Sequence, residues 1–194
     1  MPTLVTLAAL PALVGLGAWQ LQRAQWKDGL LATYRENAGR PLATPTHRRE
    51  LEALGFRRVQ LVGLACAPRP DRVVAGRDRA GRPGWTALFR CRWPRERPDA
   101  GDILVNAGWA PHPQRARKAS APSASAIGVL VPGRGAQPPL LVLEAARAPL
   151  APSAAPTLDI IPNNHRGYAL QWFSFAAILA IVYVAYLRRW RQGR

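Results

Sequence analysis

Apolar, uncharged residues gather at the two ends of the chain, and the charged ones lie between them. The first 22 residues and residues 167 to 187 carry no charged side chain, and all eleven acidic residues fall in the interval. A hydrocarbon layer roughly 30 Å thick demands about twenty such residues per helix, so the pattern predicts transmembrane helices over 1–22 and 167–187. The first runs from Met1 to about Trp19 and contains Pro11, Gly15, Gly17 and Ala18, which a membrane helix tolerates where a neighbour packs closely. It has neither a basic stretch ahead of it nor a small-x-small site behind it, so an uncleaved anchor is expected rather than a signal peptide. The second reads Tyr168 to Leu187. Tyr168, Trp172, Phe173 and Phe175 lie near its start and Tyr183, Tyr186 and Trp190 near its end, as at the two headgroup borders of a span.

Between the spans the periodicity changes twice. Trp26, Leu30, Leu31 and Tyr34 recur at helical spacing, so the first helix either continues through Gln25–Asn37 or is followed by a short amphipathic one, until Gly39-Arg40-Pro41 stops it. From Phe56 onward short strand-like runs follow: Arg57–Leu64, Arg72–Ala75, Trp85–Arg92, Ile103–Asn106, Ile127–Val131 and Leu140–Leu143, punctuated by Gly and Pro. Residues 145–160, rich in Ala and Pro, read as an irregular return path. The expected class is an α+β membrane protein, in which two terminal transmembrane helices flank one extracytoplasmic, mostly antiparallel β domain over 23–166 with a small barrel-like sheet. A basic tail over 188–194 follows.

Charge adds the orientation. A formal net charge of +16 would suit nucleic acid, but the arginines are scattered without a reading motif, and no nucleic-acid partner is expected. Arg188, Arg189, Arg191 and Arg194 directly follow the second span, which places the C-terminus in the cytoplasm by the positive-inside tendency. Two spans then return the N-terminus to the cytoplasm and leave 23–166 outside. Long loops cross a membrane largely regardless of their charge.

Candidate chemistry is sparse. Cys66 and Cys91 both fall in strand candidates; they could pair on an oxidising side, but two small core residues are the favoured reading. Without a C-x-x-C spacing, thiolate metal delivery is unsupported. Ser120, Ser123, Ser125 and Ser153 cluster in Ala/Pro-rich connections, no nucleophile elbow or phosphate loop occurs, and Asp99 and Asp102 flank a turn, so no enzyme is expected. Of the three histidines, His47 reads as a solvated loop residue and His112 as part of a Pro-flanked turn. His165, in Asn163-Asn164-His165-Arg166 at the outer mouth of the second span, could ligate a haem iron. Taken alone, it more simply caps the helix or meets lipid headgroups, with Asn163 or Asn164 as N-cap.

Three stretches together resemble the Surfeit-locus (SURF-one) family of cytochrome c oxidase assembly proteins. They are Gly17-Ala18-Trp19-Gln20-Leu21-Gln22-Arg23 with Trp26-Lys27, then Asp102-Ile103-Leu104-Val105-Asn106-Ala107-Gly108-Trp109-Ala110-Pro111, then Asn163-Asn164-His165 with Tyr168-Ala169 and Trp172-Phe173. The family usually shows Asn-Arg-Gly-Trp where this chain has Asn106-Ala107-Gly108-Trp109, and an Asn-Arg pair where it has Gly76-Arg77. The resemblance implies a non-catalytic factor in the bacterial inner membrane, with its central domain in the periplasm. Such a factor works with haem a synthase and delivers haem a to the oxidase core subunit. It implies His165 as the iron ligand with Tyr168 and Trp172 beside the macrocycle, while Arg23 and Arg166 sit where propionates would meet water. The alternative is a scaffold that stabilises oxidase subunits without touching haem.

Overall fold

A computed structural model describes residues 2–133, 135–158 and 161–192. Met1 of the first expected span and Arg194 of the basic tail lie outside the described residues. The described chain forms two compact units, one from its two ends (residues 1–32 and 161–194) and one from residues 33–160.

The helical unit is built from the two apolar ends. Helix α1 is continuous from Pro2 to Gly39, about 57 Å at 1.5 Å per residue, so the apolar run and the amphipathic stretch after it form one element. Helix α3 covers His165–Gln192. Both are long and apolar enough to cross a membrane, and little of either apolar window is buried inside the protein. Leu4, Val5, Leu7, Leu170, Ile178 and Ile181 are among the exposed large side chains, as expected of helices whose solvent is hydrocarbon.

The other unit is a mixed half-barrel sheet. Its strands are β1 (Arg58–Val62), β2 (Ala65–Cys66), β3 (Arg72–Arg77), β4 (Pro83–Trp93), β5 (Gly101–Ala110), β6 (Ser125–Val131) and β7 (Leu140–Leu143), with the short helix α2 (Pro113–Arg117) after β5. The order is β1-β6-β7-β5-β4-β2, and β3 also pairs with β4. Every pairing is antiparallel except β5–β7. That exception arises because β7 inserts between its hairpin partner β6 and the earlier strand β5, so its direction is set by β6. From Ile103 onward β5 is buried on both faces, which is why it reads as a nearly unbroken apolar run. Phe89, Trp93, Leu61, Ile103, Leu130 and Leu141 fill the core, and the Trp93 indole N–H donates to the Val62 carbonyl at 2.8 Å.

Cys66 and Cys91 stand opposite each other on β2 and β4 and are joined as a disulfide. This overturns the reading as two free core residues. Cys91 is buried in the core all the same, so its apolar setting, visible in the sequence, was compatible with both states.

Exposed arginines grip carboxylates across the sheet. Arg58 on β1 meets Glu144, just beyond β7, through two bonds of 2.5 and 2.8 Å. Hydrogen bonding and the positive charge of Arg58 hold the Glu144 carboxyl below the usual carboxylate range, against a smaller opposing effect of burial. Burial alone would raise the Asp78 carboxyl, yet the hydrogen bonds and charge of Arg82 and the backbone N–H of Ala80 together bring it down. A carboxyl whose folded value is depressed adds stability above its unfolded value and loses that share as pH falls through the folded one. The destabilisation caused by Glu144→Gln should therefore be greatest near neutrality and shrink below about pH 4, measured by denaturant unfolding across pH. A difference independent of pH would show that the Arg58 pairing is not its source.

Candidate functional site at the start of the last helix

The helical unit holds a polar seam inside an otherwise apolar helix pair. On α1, Gly17, Gln20, Ala24 and Lys27-Asp28 recur at three- and four-residue spacing and so share one face. On α3 and the residues before it, the facing set is Pro162, Asn163, His165, Arg166, Ala169 and Phe173. The helices run antiparallel, since Asp28 meets Asn163 and Arg166 while Gln20 meets His165 and Gly17 meets Phe173. Small residues permit the approach: Ala24 and Ala169 are each only 1% exposed. A Cβ at Gly17 would come within 2.6 Å of the Phe173 ring, so nothing larger than glycine fits there without moving that ring.

Three groups on α1 serve the start of α3. The Asp28 carboxylate accepts from Asn163 Nδ2 and from Arg166 Nη2, both at 2.8 Å. Lys27 Nζ donates to the Pro162 carbonyl. Gln20 Oε1 lies 2.8 Å from His165 Nδ1. Asn163, one of the two expected caps, thus reaches across to α1, while the Asn164 carbonyl accepts from the Tyr168 N–H in the first helical turn. The seam is not closed on itself, because Asn163 Oδ1 is buried with no hydrogen-bond donor among the described residues.

Of the residues singled out from the sequence, His165, Tyr168 and Trp172 stand on the first turns of α3, at offsets of three and seven, and so on neighbouring parts of one face. His165 is half-buried, Tyr168 is 51% exposed, and Trp172 is half-buried with its ring edge-on to Phe175. Arg166 is tied to Asp28, and the Arg23 guanidinium lies over the Trp26 ring at 4.3 Å. A haem iron asks for one imidazole with a free nitrogen. His165 fits that demand, since among the described residues the hydrogen bond of its side chain is made through Nδ1. Sequence reasoning did not identify Gln20 and Asp28 as partners of this site. Part of their signal was available: Asp28 is the first acidic residue of the chain, and it stands eight positions, or about two helical turns, after Gln20, the first amide of the uncharged run.

A second region lies on the sheet unit, an open cleft of about 890 Å³ lined by His47, Arg49, Glu52, Arg97, Pro132 and Gln137 among others. His47 caps the 3-10 helix Arg48–Leu54. Its ring is 3.6 Å from Asp99 and 3.1 Å from Arg97. Asp99 in turn accepts from the Arg48 N–H, the main reason its carboxyl is lowered. Among the described residues the lining has no hydroxyl or thiol side chain, and the imidazole and carboxylate here bond to the loop that carries them.

The family model for the SURF1 family matches residues 7–177, most of the described chain and all three motif stretches. The chain belongs to the SURF1 family. No curated protein matches it in a direct comparison. The SURF1 family is associated with cytochrome c oxidase assembly, and it is a family of assembly factors rather than a known enzyme family. The first and third SURF1 stretches are the two sides of the seam.

The middle SURF1 stretch is structural in the sheet unit. Asn106 Oδ1 accepts from the Gly108 N–H at 3.1 Å and from the Ser153 hydroxyl at 2.9 Å. Trp109 exchanges two backbone bonds with Ala151. Gly108 has φ +141, and a Cβ there would meet the Ala151 carbonyl at 2.7 Å, so glycine is required both by conformation and by space. Asn106 and Gly108 together tie the return segment to β5.

The two bonds to Asp28 should differ in worth. Arg166 is 75% exposed on its side chain, where ion pairs contribute roughly 0.2–1 kcal/mol. Asn163 has an orphaned oxygen already, and losing its remaining bond should cost about 1–3 kcal/mol. Double-mutant cycles of Asp28→Ala with Arg166→Ala and with Asn163→Ala, read by unfolding in detergent, should give the larger coupling to Asn163. The reverse order would count against the seam as described.

Proposed function

We propose that this SURF1 protein holds haem a at the membrane border through Nε2 of His165 and passes it from haem a synthase to the core subunit of cytochrome c oxidase. One observation carries this reading: His165, in the family's third stretch, makes its side-chain hydrogen bond to α1 through Nδ1 among the described residues. Its other nitrogen remains for an iron. The neutral imidazole of His165 would serve as a ligand to the iron of a bound haem. Tyr168 and Trp172 offer aromatic surface on the same side of α3, and a guanidinium keeps spare donors after one ion pair, so Arg166 and Arg23 can still meet carboxylates. Haem is amphipathic, and a lipid border accepts its apolar face while leaving its carboxylates near water.

The orientation proposed with it is that of a multi-pass protein of the bacterial inner membrane, with both termini cytoplasmic and the sheet unit in the periplasm. Two features support it. Arg188, Arg189 and Arg191 close α3, as expected on the cytoplasmic side, and the Cys66–Cys91 disulfide suits an oxidising compartment.

The ligand assignment is tested by co-expressing the full chain with haem a synthase and recording its absorption spectrum. The wild type should co-purify with haem a, and His165→Ala should lose at least about nine-tenths of it, as the loss of an axial ligand demands. Haem retained unchanged by that variant would remove the ligand role. Normal haem a insertion alongside an unstable oxidase complex would favour the scaffold. For the orientation, protease added outside spheroplasts should cleave between residues 33 and 160. Protection there, with digestion in inverted vesicles, would reverse it.

A further inference from the structure

The seam contains one group that adhesion between the helices does not explain. Gln20 sits on α1 three residues before its first charge, in a stretch long and apolar enough to lie in hydrocarbon. An amide there is costly unless it is bonded. The close packing is supplied by Gly17, Ala24, Ala169 and Phe173, and the clamp on the start of α3 by Lys27 and Asp28. Among the described residues the side chain of Gln20 makes one hydrogen bond, 2.8 Å from its Oε1 to His165 Nδ1.

The two ring nitrogens of a histidine are coupled. Nδ1 must carry a proton to donate to a carbonyl oxygen, and the neutral ring then leaves Nε2 with a lone pair and no proton. If the amide instead turned its NH2 to Nδ1, the ring proton would sit on Nε2 and block it as a ligand. The orientation of the Gln20 amide therefore selects which nitrogen of His165 can bind a metal. An acceptor at Nδ1 also makes the opposite nitrogen a stronger donor and fixes the plane of the ring.

We infer that Gln20 is the positioning residue of His165, holding its imidazole in the tautomer whose Nε2 is free to ligate iron. This rests on the reading of His165 as the haem ligand. Gln20 lies in the first motif stretch and His165 in the third, 145 positions apart in the chain, so the bond gives one physical reason for both to be present.

The test uses the full chain in detergent micelles, titrated with haem a and followed by absorbance, with resonance Raman spectroscopy of the ferrous form reading the iron–histidine stretch. Gln20→Leu removes the acceptor. It should weaken haem a binding about 10- to 100-fold and lower the stretching frequency. Gln20→Glu can only accept; it should bind within a few-fold of wild type and raise that frequency, because a carboxylate makes the ligand more basic. A residue that merely glued the helices together would leave the frequency unmoved in both variants. Unchanged affinity and frequency in Gln20→Leu, with binding abolished in His165→Ala, would overturn the role of Gln20 while leaving the ligand in place. Binding untouched by His165→Ala would instead fail the ligand reading itself. Should Gln20→Leu lose helix content by circular dichroism, Gln20→Glu decides: an unmoved frequency there overturns the inference.

Discussion

A helix in hydrocarbon cannot send a polar side chain to water, so each one along its length must find a partner on a neighbouring helix or reach the border. The helical unit is organised by that requirement. Gln20, Lys27 and Asp28 recur on one face of α1, and the residues opening α3 complete them bond for bond. Glycine and alanine between these groups bring the backbones near enough for such short side chains to meet. Ala24 and Ala169 are therefore as much a part of the site as the polar residues.

The sheet unit meets a related demand by other means. Its longest strands, β4 and β5, form a hairpin whose core side chains are wholly enclosed. On the β7 side of β5 the parallel ladder ends at Asn106, and side-chain chemistry takes over there: Asn106 caps the Gly108 N–H and receives Ser153. The segment after β7 is thereby tied back without a strand of its own. The motif that looked in the sequence like a strand and turn is a strand whose last residues fasten a distant return path.

How much of this was legible depended on whether the signal was local. The two apolar helices were plain, because charge is absent over lengths that suit a membrane span. Six of the seven strands had their alternation or apolar runs in view; β2, two residues long, begins just past the end of the run Arg57–Leu64 and was not set apart as a strand. The parallel β5–β7 pair was not readable, since strand direction follows from an insertion between distant partners. The Cys66–Cys91 bond was hidden for a similar reason: cross-strand registry, not spacing along the chain, brings the sulfurs together. His165 was found because aromatic residues and asparagines surround it in sequence. Gln20 and Asp28 were missed as its companions because their partners lie more than a hundred positions away.

Magnitudes separate what holds the helix pair together from what gives it direction. Hydrogen bonds between membrane helices contribute about 0.6 kcal/mol on average, and an ion pair with an exposed arginine adds no more than about 1 kcal/mol. Burying close-packed side chains such as Phe173 over Gly17 returns roughly 1.5–3 kcal/mol for a large residue in water, and in lipid the share that survives is the dispersion of close packing. The polar bonds are thus too weak to be the main source of adhesion. They are directional where packing is not: a helix rotated by one residue, 100° about its axis, would keep much of its apolar contact but leave Asp28, Asn163 and Gln20 unsatisfied in a setting that penalises each. The seam accordingly sets the register and rotation of α3. His165, on its first turn, inherits its aim from that constraint.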